Sequence, residues 1–257
     1  MNTALLAAMM AGGCPTPAVD VPKAGVRAPA LVWRDPLATA EAHYERRALG
    51  AVGPTANPRE IDAAIAAYRR AVLTCPGGIA PVNGLLRALF FRGAFTNASR
   101  DVQRRLFEEA KEVGEREIAI LERQVPAGAG RSAAFKKVKG TAALYFWVSV
   151  SWGQWALASS KLAAVRQGAA SRIRDLAQIS VDLDPGYEQG SGYLLLGRLH
   201  DQTPRVIFLT FWISRAQALA NLRRAYDMSP LNTVAQFFLA EAILAHDSSS
   251  APKPRAF

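Results

Sequence analysis

Residues 142–156 read AALYFWVSVSWGQWA, and the longer stretch Ala142–Pro230 that begins with them decides the fold. The run 141–160 contains no charged residue and has three of the five tryptophans. An uncharged run of this length must be tested as a membrane span. Gly153 and Gln154 lie in its middle, however, and the tryptophans are central, whereas interfacial tryptophans lie at the ends of a span. We therefore expect a buried helix in a helical bundle.

The flanking sequence predicts an all-α fold, because Ala, Leu and Arg dominate and prolines fall between periodic runs. The segment 67–76, AYRRAVLTCP, looks like the second helix of a tetratricopeptide repeat. A similar phrase ends at Pro230, and a looser one precedes Pro185. In such repeats small alanines alternate with large apolar residues, so that helices stack closely. The spacing of the prolines departs from the usual repeat length of about 34 residues. We expect degenerate tetratricopeptide-like hairpins that form one helical-repeat domain over residues 35–247.

Caps and apolar periodicity predict where several of these helices begin and end. A side chain that can cap a helix precedes most of the periodic runs, and a proline or glycine follows several of them. The predicted helices are residues 36–49 after Asp35, 58–74, 81–94, 100–123 after Ser99, 162–182 as one continuous helix, 187–200, 215–228 after Ser214, and 231–246.

The formal net charge of +10 would suit a nucleic acid or an anionic membrane surface. The basic residues are scattered over different helices and loops, and zinc-finger, basic-zipper and RNA-binding motifs are absent from the sequence. We read most arginines as solvated helix faces with buried stems, and expect no nucleic-acid partner. The charge alone predicts salt-sensitive adhesion to anionic lipid headgroups.

The first fourteen residues resemble a bacterial lipoprotein signal. A short apolar run ends on small residues just before Cys14, which would become the lipidated first residue of the mature chain. Two features depart from this pattern, since the run starts without Lys or Arg and has Ala11 where leucine is usual. Residues 15–34 would form a flexible tether and residues 248–257 a disordered tail. The alternative is an ordinary cytoplasmic N-terminus.

The sequence carries none of the common motifs of catalysis or metal binding. It has no glycine-rich phosphate loop, paired-cysteine metal site, His-Glu-x-x-His or nucleophile elbow. His43, His200 and His246 each stand near a predicted helix end, where a capping role suits them. We therefore expect a protein without enzymatic activity, cofactor or metal.

An aromatic cluster is the one feature that resembles a site. Tyr145, Trp152 and Trp155 follow at steps of seven and three residues, so they share one face of a helix, and Trp147 lies on another. One interpretation is that they are core residues. The other is that they line an apolar groove for a hydrophobic ligand or a partner helix, with Tyr193 and Trp212 as possible contributors.

The order of these motifs is similar to that of the T component of TRAP transporters, best from about residue 133 to 245. The resemblance is carried by ALYFW (143–147), Trp155-Ala156, DLDPGY (182–187), Gly192, Leu196-Gly197, Pro204 and the helix end 225–230. It implies an all-helical periplasmic lipoprotein that can form a trimer and that associates with the substrate-binding component of the transporter. It further implies handling of hydrophobic ligands or organic acids, without enzymatic activity.

One segment departs from the family pattern. Residues 206–213 are apolar where a polar, glycine-containing loop is expected, which would mark either a subunit interface or a patch that a partner covers. Two functional hypotheses therefore remain. The first is a periplasmic, lipid-anchored subunit of a TRAP-type uptake system, and the alternative is a cytoplasmic tetratricopeptide-like interaction scaffold.

Overall fold

The computed structural model describes residues 35–125, 128 and 130–250, and the side chains of residues 35–245 within them. The proposed signal, Cys14, the tether and the end of the tail lie outside the described residues. The described part is all-α, apart from two isolated β-bridges. The helices are α1 Pro36–Glu45, α2 Pro58–Thr74, α3 Ile79–Ala94, α4 Arg100–Gln124, α5 Arg131–Lys137, α6 Thr141–Ala158, α7 Lys161–Arg166, α8 Ala169–Leu183, α9 Ser191–Gln202, α10 Arg215–Met228 and α11 Thr233–Ser250, with a 3₁₀ turn at Tyr187–Gln189.

The long helices pack as a sequential stack, in which each helix mainly contacts its neighbours along the chain. We describe it as four hairpins, α1/α2, α3/α4, α6/α8 and α9/α10, followed by α11. The helices α1, α3, α6 and α9 are called the first helices below, and α2, α4, α8 and α10 the second helices. First helices also meet across hairpins, since α3 contacts both α1 and α6. This arrangement confirms the predicted all-α helical-repeat domain.

Several helix boundaries coincide with the caps that the sequence predicts. Asp35 accepts a hydrogen bond from the backbone N–H of Leu37 at the start of α1, and Pro36 occupies the first helical position. Ser99 and Ser214 cap α4 and α10 in the same way. The second helices α2, α8 and α10 each end one or two residues before a proline. The hairpins are therefore delimited by local capping chemistry.

Other boundaries differ from the predictions. The helix predicted over residues 162–182 is two helices, α7 and α8, because Gly168 between them adopts a positive φ of 64°. Helix α1 ends at Glu45, before the predicted Leu49, and continues as hydrogen-bonded turns. Helix α11 runs to Ser250 and so passes the predicted domain end at residue 247.

The core lies between first and second helices, with α6 at its centre. Leu144 and Val148 of α6 are fully buried, and α6 packs against α3, α4 and α8. A glycine makes the contact with α4 possible, since a Cβ atom added to Gly114 would lie 2.3 Å from a methyl carbon of Val148. Alanine at this position would force the two helices apart.

Within the described part of the chain, no helix is both long and apolar enough to cross a bilayer. The uncharged run at residues 141–160 forms α6, most of whose side chains are buried inside the bundle.

Candidate ligand-binding site

Three of the predicted groove residues, Tyr145, Trp152 and Trp155, lie in the core, on the side of α6 that packs against the second helices. They are 1%, 9% and 3% exposed, so none of them is available to a ligand at the surface. The two indole rings pack edge to face, with their centroids 5.7 Å apart. The core interpretation of this aromatic face therefore holds.

The hydroxyl of Tyr145 donates to Glu122, and the indole N–H of Trp152 joins a network around Glu115 of α4. The indole N–H of Trp152 donates to Oε1 of Glu115 at 2.6 Å, and Nε of Arg172 donates to the same oxygen at 2.8 Å. Burial alone would raise the pKa of Glu115, but the hydrogen bonds from Arg172 and Trp152 outweigh burial and lower it. Glu115 thus joins α4, α6 and α8 through charged hydrogen bonds.

A buried lysine completes this network. The Nζ atom of Lys111 lies 3.9 Å from the ring centroid of Trp155 and 4.5 Å from that of Trp152, which are cation–π distances. The same atom donates to Gln167 at 2.8 Å and pairs with Glu108 at 2.6 Å. The tryptophans therefore serve partly to hold a buried cation between helices.

The other two predicted groove residues lie elsewhere in the stack. Tyr193 of α9 packs against a small apolar cluster with Val181 of α8. Trp212, in the loop before α10, stacks edge to face on His200 and lies under the guanidinium group of Arg174. The five residues predicted to form one groove thus occupy three separate places.

A pocket opens on the opposite side of α6, and we call it the first-helix pocket. It has a volume of about 460 Å³, within the range of roughly 300–1,000 Å³ that small-molecule sites occupy. Every residue that lines it belongs to a first helix or to the segments just after α1 and before α9. They are Tyr44, Glu45, Arg47, Arg87, Phe90, Phe146, Trp147, Val150, Glu188 and Ser191.

Trp147 is the centre of the aromatic wall of this pocket. Its ring centroid lies 5.6 Å from that of Phe90 and 5.2 Å from that of Phe146. Its indole N–H donates to the hydroxyl of Tyr187 at 3.0 Å, which fixes the orientation of the ring. Burial raises the pKa of Tyr187 to about 12, so its hydroxyl stays protonated over the physiological range.

Two arginines form the cationic side of the pocket. The guanidinium carbons of Arg47 and Arg87 lie 4.3 Å and 4.9 Å from the ring centroid of Tyr44. The nearest carboxylate to Arg87 is that of Glu41, at a long 3.7 Å. Its Nε atom is buried and has no hydrogen-bond partner among the described residues. A guanidinium group with an unsatisfied donor therefore borders an aromatic wall, a combination that suits an aromatic or aliphatic anion.

The segment before α9 reaches this pocket in an uncommon backbone conformation. Glu188 has φ 45° and Gln189 has φ 60°, in the left-handed region that residues other than glycine rarely adopt. Ser229, the residue just after α10, donates a hydrogen bond to the side chain of Gln189 at 2.7 Å and helps to hold this turn. Strained backbone of this kind concentrates at functional sites.

None of the five residues that the sequence predicts for a groove lines this pocket, because the prediction follows the face of α6 that carries Tyr145, Trp152 and Trp155 and leaves Trp147 on another face. A signal was available: Phe146, Trp147 and Val150 share a helix face that is apolar although the opposite face is already filled by core residues. The contributions of Tyr44, Arg47 and Arg87 come from two other helices, and their approach depends on how the hairpins stack.

The described residues also include no group of three or more His, Cys, Asp or Glu side chains placed to hold a metal ion. Comparison with known proteins adds no further information on the site, since no protein-family model matches the chain and no curated protein matches it significantly.

Proposed function

We propose that this protein is a non-enzymatic binding subunit of a TRAP-type solute-uptake system. In this proposal it resides in the periplasm, a lipid on Cys14 holds it to a membrane, and it assembles as a trimer. It associates with the substrate-binding component of the transporter, and the first-helix pocket takes a hydrophobic organic acid. The order of sequence motifs supports the transporter link, and the pocket supports the ligand.

The first-helix pocket is the observation that carries the binding part of this proposal. Its aromatic wall provides apolar area for a ring or an alkyl chain, and the arginines favour a negative charge at one end. Arg87 has the stronger claim to the carboxylate, because its pair with Glu41 is long at 3.7 Å, whereas Arg47 already donates to the carbonyl of Tyr44. A carboxylate can pair with a guanidinium group through two parallel hydrogen bonds.

The two carboxylates at the pocket, Glu45 and Glu188, are exposed and belong to its rim. They disfavour a second negative charge on the ligand, because like charges repel each other. The chemistry of the pocket therefore favours a monocarboxylate with an apolar body.

The test compares 4-phenylbutyrate and 4-phenylbutanol, which share a carbon skeleton and differ in their end group, a carboxylate or a neutral hydroxyl, by isothermal titration calorimetry on the full chain. We expect the acid to bind at least about tenfold more tightly than the alcohol, because one charge-assisted hydrogen-bond pair contributes roughly 1.5–3 kcal/mol. Arg87→Gln should abolish this preference, and Trp147→Ala should weaken both probes.

The matched control is Phe211→Ala, which removes an exposed aromatic side chain that does not line the pocket. It should change neither affinity. Equal affinity for the acid and the alcohol would contradict the proposed ligand. Binding that is lost in Phe211→Ala but kept in Trp147→Ala would show that the ligand binds outside the first-helix pocket.

The location is tested separately. Cells that express the native gene are labelled with radioactive palmitate, and the wild type is compared with Cys14→Ser. Label that vanishes in the variant supports the lipid-anchored subunit. A soluble, unlabelled cytoplasmic protein would leave the interaction scaffold as the better hypothesis. Cys75 is the only other cysteine, so mass analysis before and after reduction also distinguishes an acylated Cys14 from a disulfide between the two.

A further inference from the structure

The loop between α9 and α10 exposes a run of bulky apolar side chains, and we call residues 206–211 the apolar loop. Phe208 is 92% exposed, and Ile207, Leu209 and Phe211 are each more than half exposed. Val206 is also exposed. Isolated apolar residues are common on protein surfaces, but five within six consecutive positions are not, and such a patch usually marks a contact.

This exposure belongs to a well-defined turn. The hydroxyl of Thr210 accepts a hydrogen bond from the backbone N–H of Val206 at 2.7 Å and donates one to the carbonyl of Pro204 at 2.6 Å. The carbonyl of Val206 accepts from the backbone N–H groups of Leu209 and Thr210. The polar groups of the turn thus face one another, and its apolar side chains face solvent.

The base of the loop is fixed to the stack. Ile213 is buried, and Trp212 packs between His200 of α9 and Arg174 of α8. The backbone N–H of Ser214 also donates to Nδ1 of His200 at 3.2 Å. The apolar loop is therefore held in place by neighbouring helices at its C-terminal end.

The tip of the loop holds its most exposed aromatic side chain in an unfavourable backbone conformation. Phe208 has φ 70°, where glycine, asparagine or aspartate is expected. A residue selected only for the turn would be small and polar. The phenyl ring at this position therefore indicates a role for the side chain itself.

The surroundings of the loop are positively charged. Arg205 and Arg215 flank it, are exposed, and form no ion pair with any residue that the structure describes. The sequence contains no Asp or Glu between Asp201 and Asp227, and the whole chain carries a formal charge of +10. An apolar tip flanked by two exposed arginines without an ion-pair partner complements an anionic lipid bilayer.

We propose that the apolar loop is a membrane-docking element, in which the side chains of residues 206–211 enter the boundary between the headgroups and the acyl chains. Arg205 and Arg215 then contact lipid phosphates. This contact goes beyond the proposed function, because it depends neither on a lipid at Cys14 nor on the first-helix pocket. It would fix the orientation of the protein on the membrane, which a flexible anchor alone cannot do.

A bilayer fits this surface better than a partner protein. Protein interfaces usually surround their apolar centre with hydrogen-bonding groups that pair across the contact. In the apolar loop the one polar side chain, Thr210, is already engaged within the turn. The charged residues that flank the loop in sequence, Arg205 and Arg215, are both cationic, as is common at peripheral membrane contacts.

The experiment measures vesicle flotation of the full chain with Cys14→Ser, which removes lipidation and keeps the rest of the protein. The vesicles are phosphatidylcholine alone or phosphatidylcholine with phosphatidylglycerol. The loop variant is Ile207→Ser with Phe208→Asn, because asparagine adopts positive φ readily and so preserves the turn. The charge variant is Arg205→Gln with Arg215→Gln. The control is Leu73→Ser, which removes a 79% exposed leucine from α2.

We expect the parent and the control to float equally with phosphatidylglycerol vesicles. The loop variant should partition about 30-fold less, because it loses two inserted apolar side chains. The charge variant should partition about tenfold less on anionic vesicles and should be unchanged on phosphatidylcholine. Thermal denaturation confirms that each variant folds.

Three outcomes would overturn the proposal. The first is a parent chain that fails to float with anionic vesicles. The second is a loop variant that floats as well as the parent and is released by salt, which would leave charge alone as the cause. The third is a parent chain that self-associates in analytical ultracentrifugation through the loop and does not bind vesicles, which would make the patch a subunit interface.

Discussion

On one side of α6, Trp152 and Trp155 are buried against the second helices and hold Lys111 and Glu115 in a polar network. On the other side, Trp147 is only partly buried and borders an open pocket with Phe90 and Arg87. All three side chains are tryptophans, but the surroundings of the ring differ between the two sides. In a stack of hairpins, one side of a first helix meets its own second helix and supports the fold, and the other side is available for ligands.

The largest expected effect is that of Trp155→Ala on the core side. We expect the free energy of unfolding to fall by about 3–5 kcal/mol, because the substitution leaves a cavity and removes the aromatic partner of Lys111. Urea denaturation followed by circular dichroism measures the change. A loss below about 1 kcal/mol would be too small for a core tryptophan, and the two sides of α6 would then not differ as described.

A buried carboxyl group on α4 provides the second prediction. Glu117 is 4% exposed, its Oε1 atom has no hydrogen-bond partner in the described part of the chain, and burial raises its pKa to about 7. The folded state thus binds a proton more tightly than the unfolded chain. The contribution of Glu117 to the free energy of unfolding is complete below about pH 4.5. It declines by roughly 3 kcal/mol as the pH rises to about 7.

Glu117→Gln removes this titration and keeps the shape of the side chain. The difference in unfolding free energy between variant and wild type should grow in favour of the variant from pH 5 to 7.5 and be constant above, in buffers of equal ionic strength. A difference that does not change with pH would show that Glu117 ionises freely in the folded protein.

A smaller effect is expected when the charged network of the core side is broken. Glu115→Gln should reduce the free energy of unfolding by about 2 kcal/mol. This is less than the loss expected for a fully buried ion pair, because Arg172 is partly exposed to solvent. A double-mutant cycle with Arg172→Met measures the coupling between the two side chains. A coupling energy near zero would reduce the network to a set of independent contacts.

The smallest effect on stability is expected for Trp147→Ala, the matched partner of the first substitution. The loss should be about 1 kcal/mol, because the side chain is partly exposed and lies beside a pocket that is already open. The same variant should bind 4-phenylbutyrate much more weakly than the wild type does. A stability loss equal to that of Trp155→Ala would show that both sides of α6 are core.

Much of the fold follows from the sequence, because helix limits depend on local chemistry. Asp35-Pro36 and Ser214 predict the starts of α1 and α10, and the prolines after the second helices predict the hairpin ends. The division of α7 from α8 was missed, because a lone glycine within a periodic run is also tolerated inside a helix. Only the φ of 64° at Gly168 distinguishes the two cases.

The candidate site was much less predictable. Helical periodicity identified the aromatic side of α6, but it does not show which helices that side contacts. The side with more tryptophans packs in the core. Arg87 and Tyr44 reach the pocket from α3 and α1, and their approach to Trp147 depends on the rotation of one hairpin against the next. That rotation follows from many contacts, such as the one between Gly114 and Val148, which no single segment reveals.

The sequential packing of the hairpins has a consequence for how the protein unfolds. Units that contact mainly their neighbours can open one at a time from either end, so native-state hydrogen exchange should decline stepwise along the stack. The first-helix pocket draws its walls from α1, α3, α6 and the residues before α9. A molecule bound there would contact several hairpins at once, although each hairpin otherwise contacts mainly its neighbours. Those hairpins would then open together, in a single cooperative event.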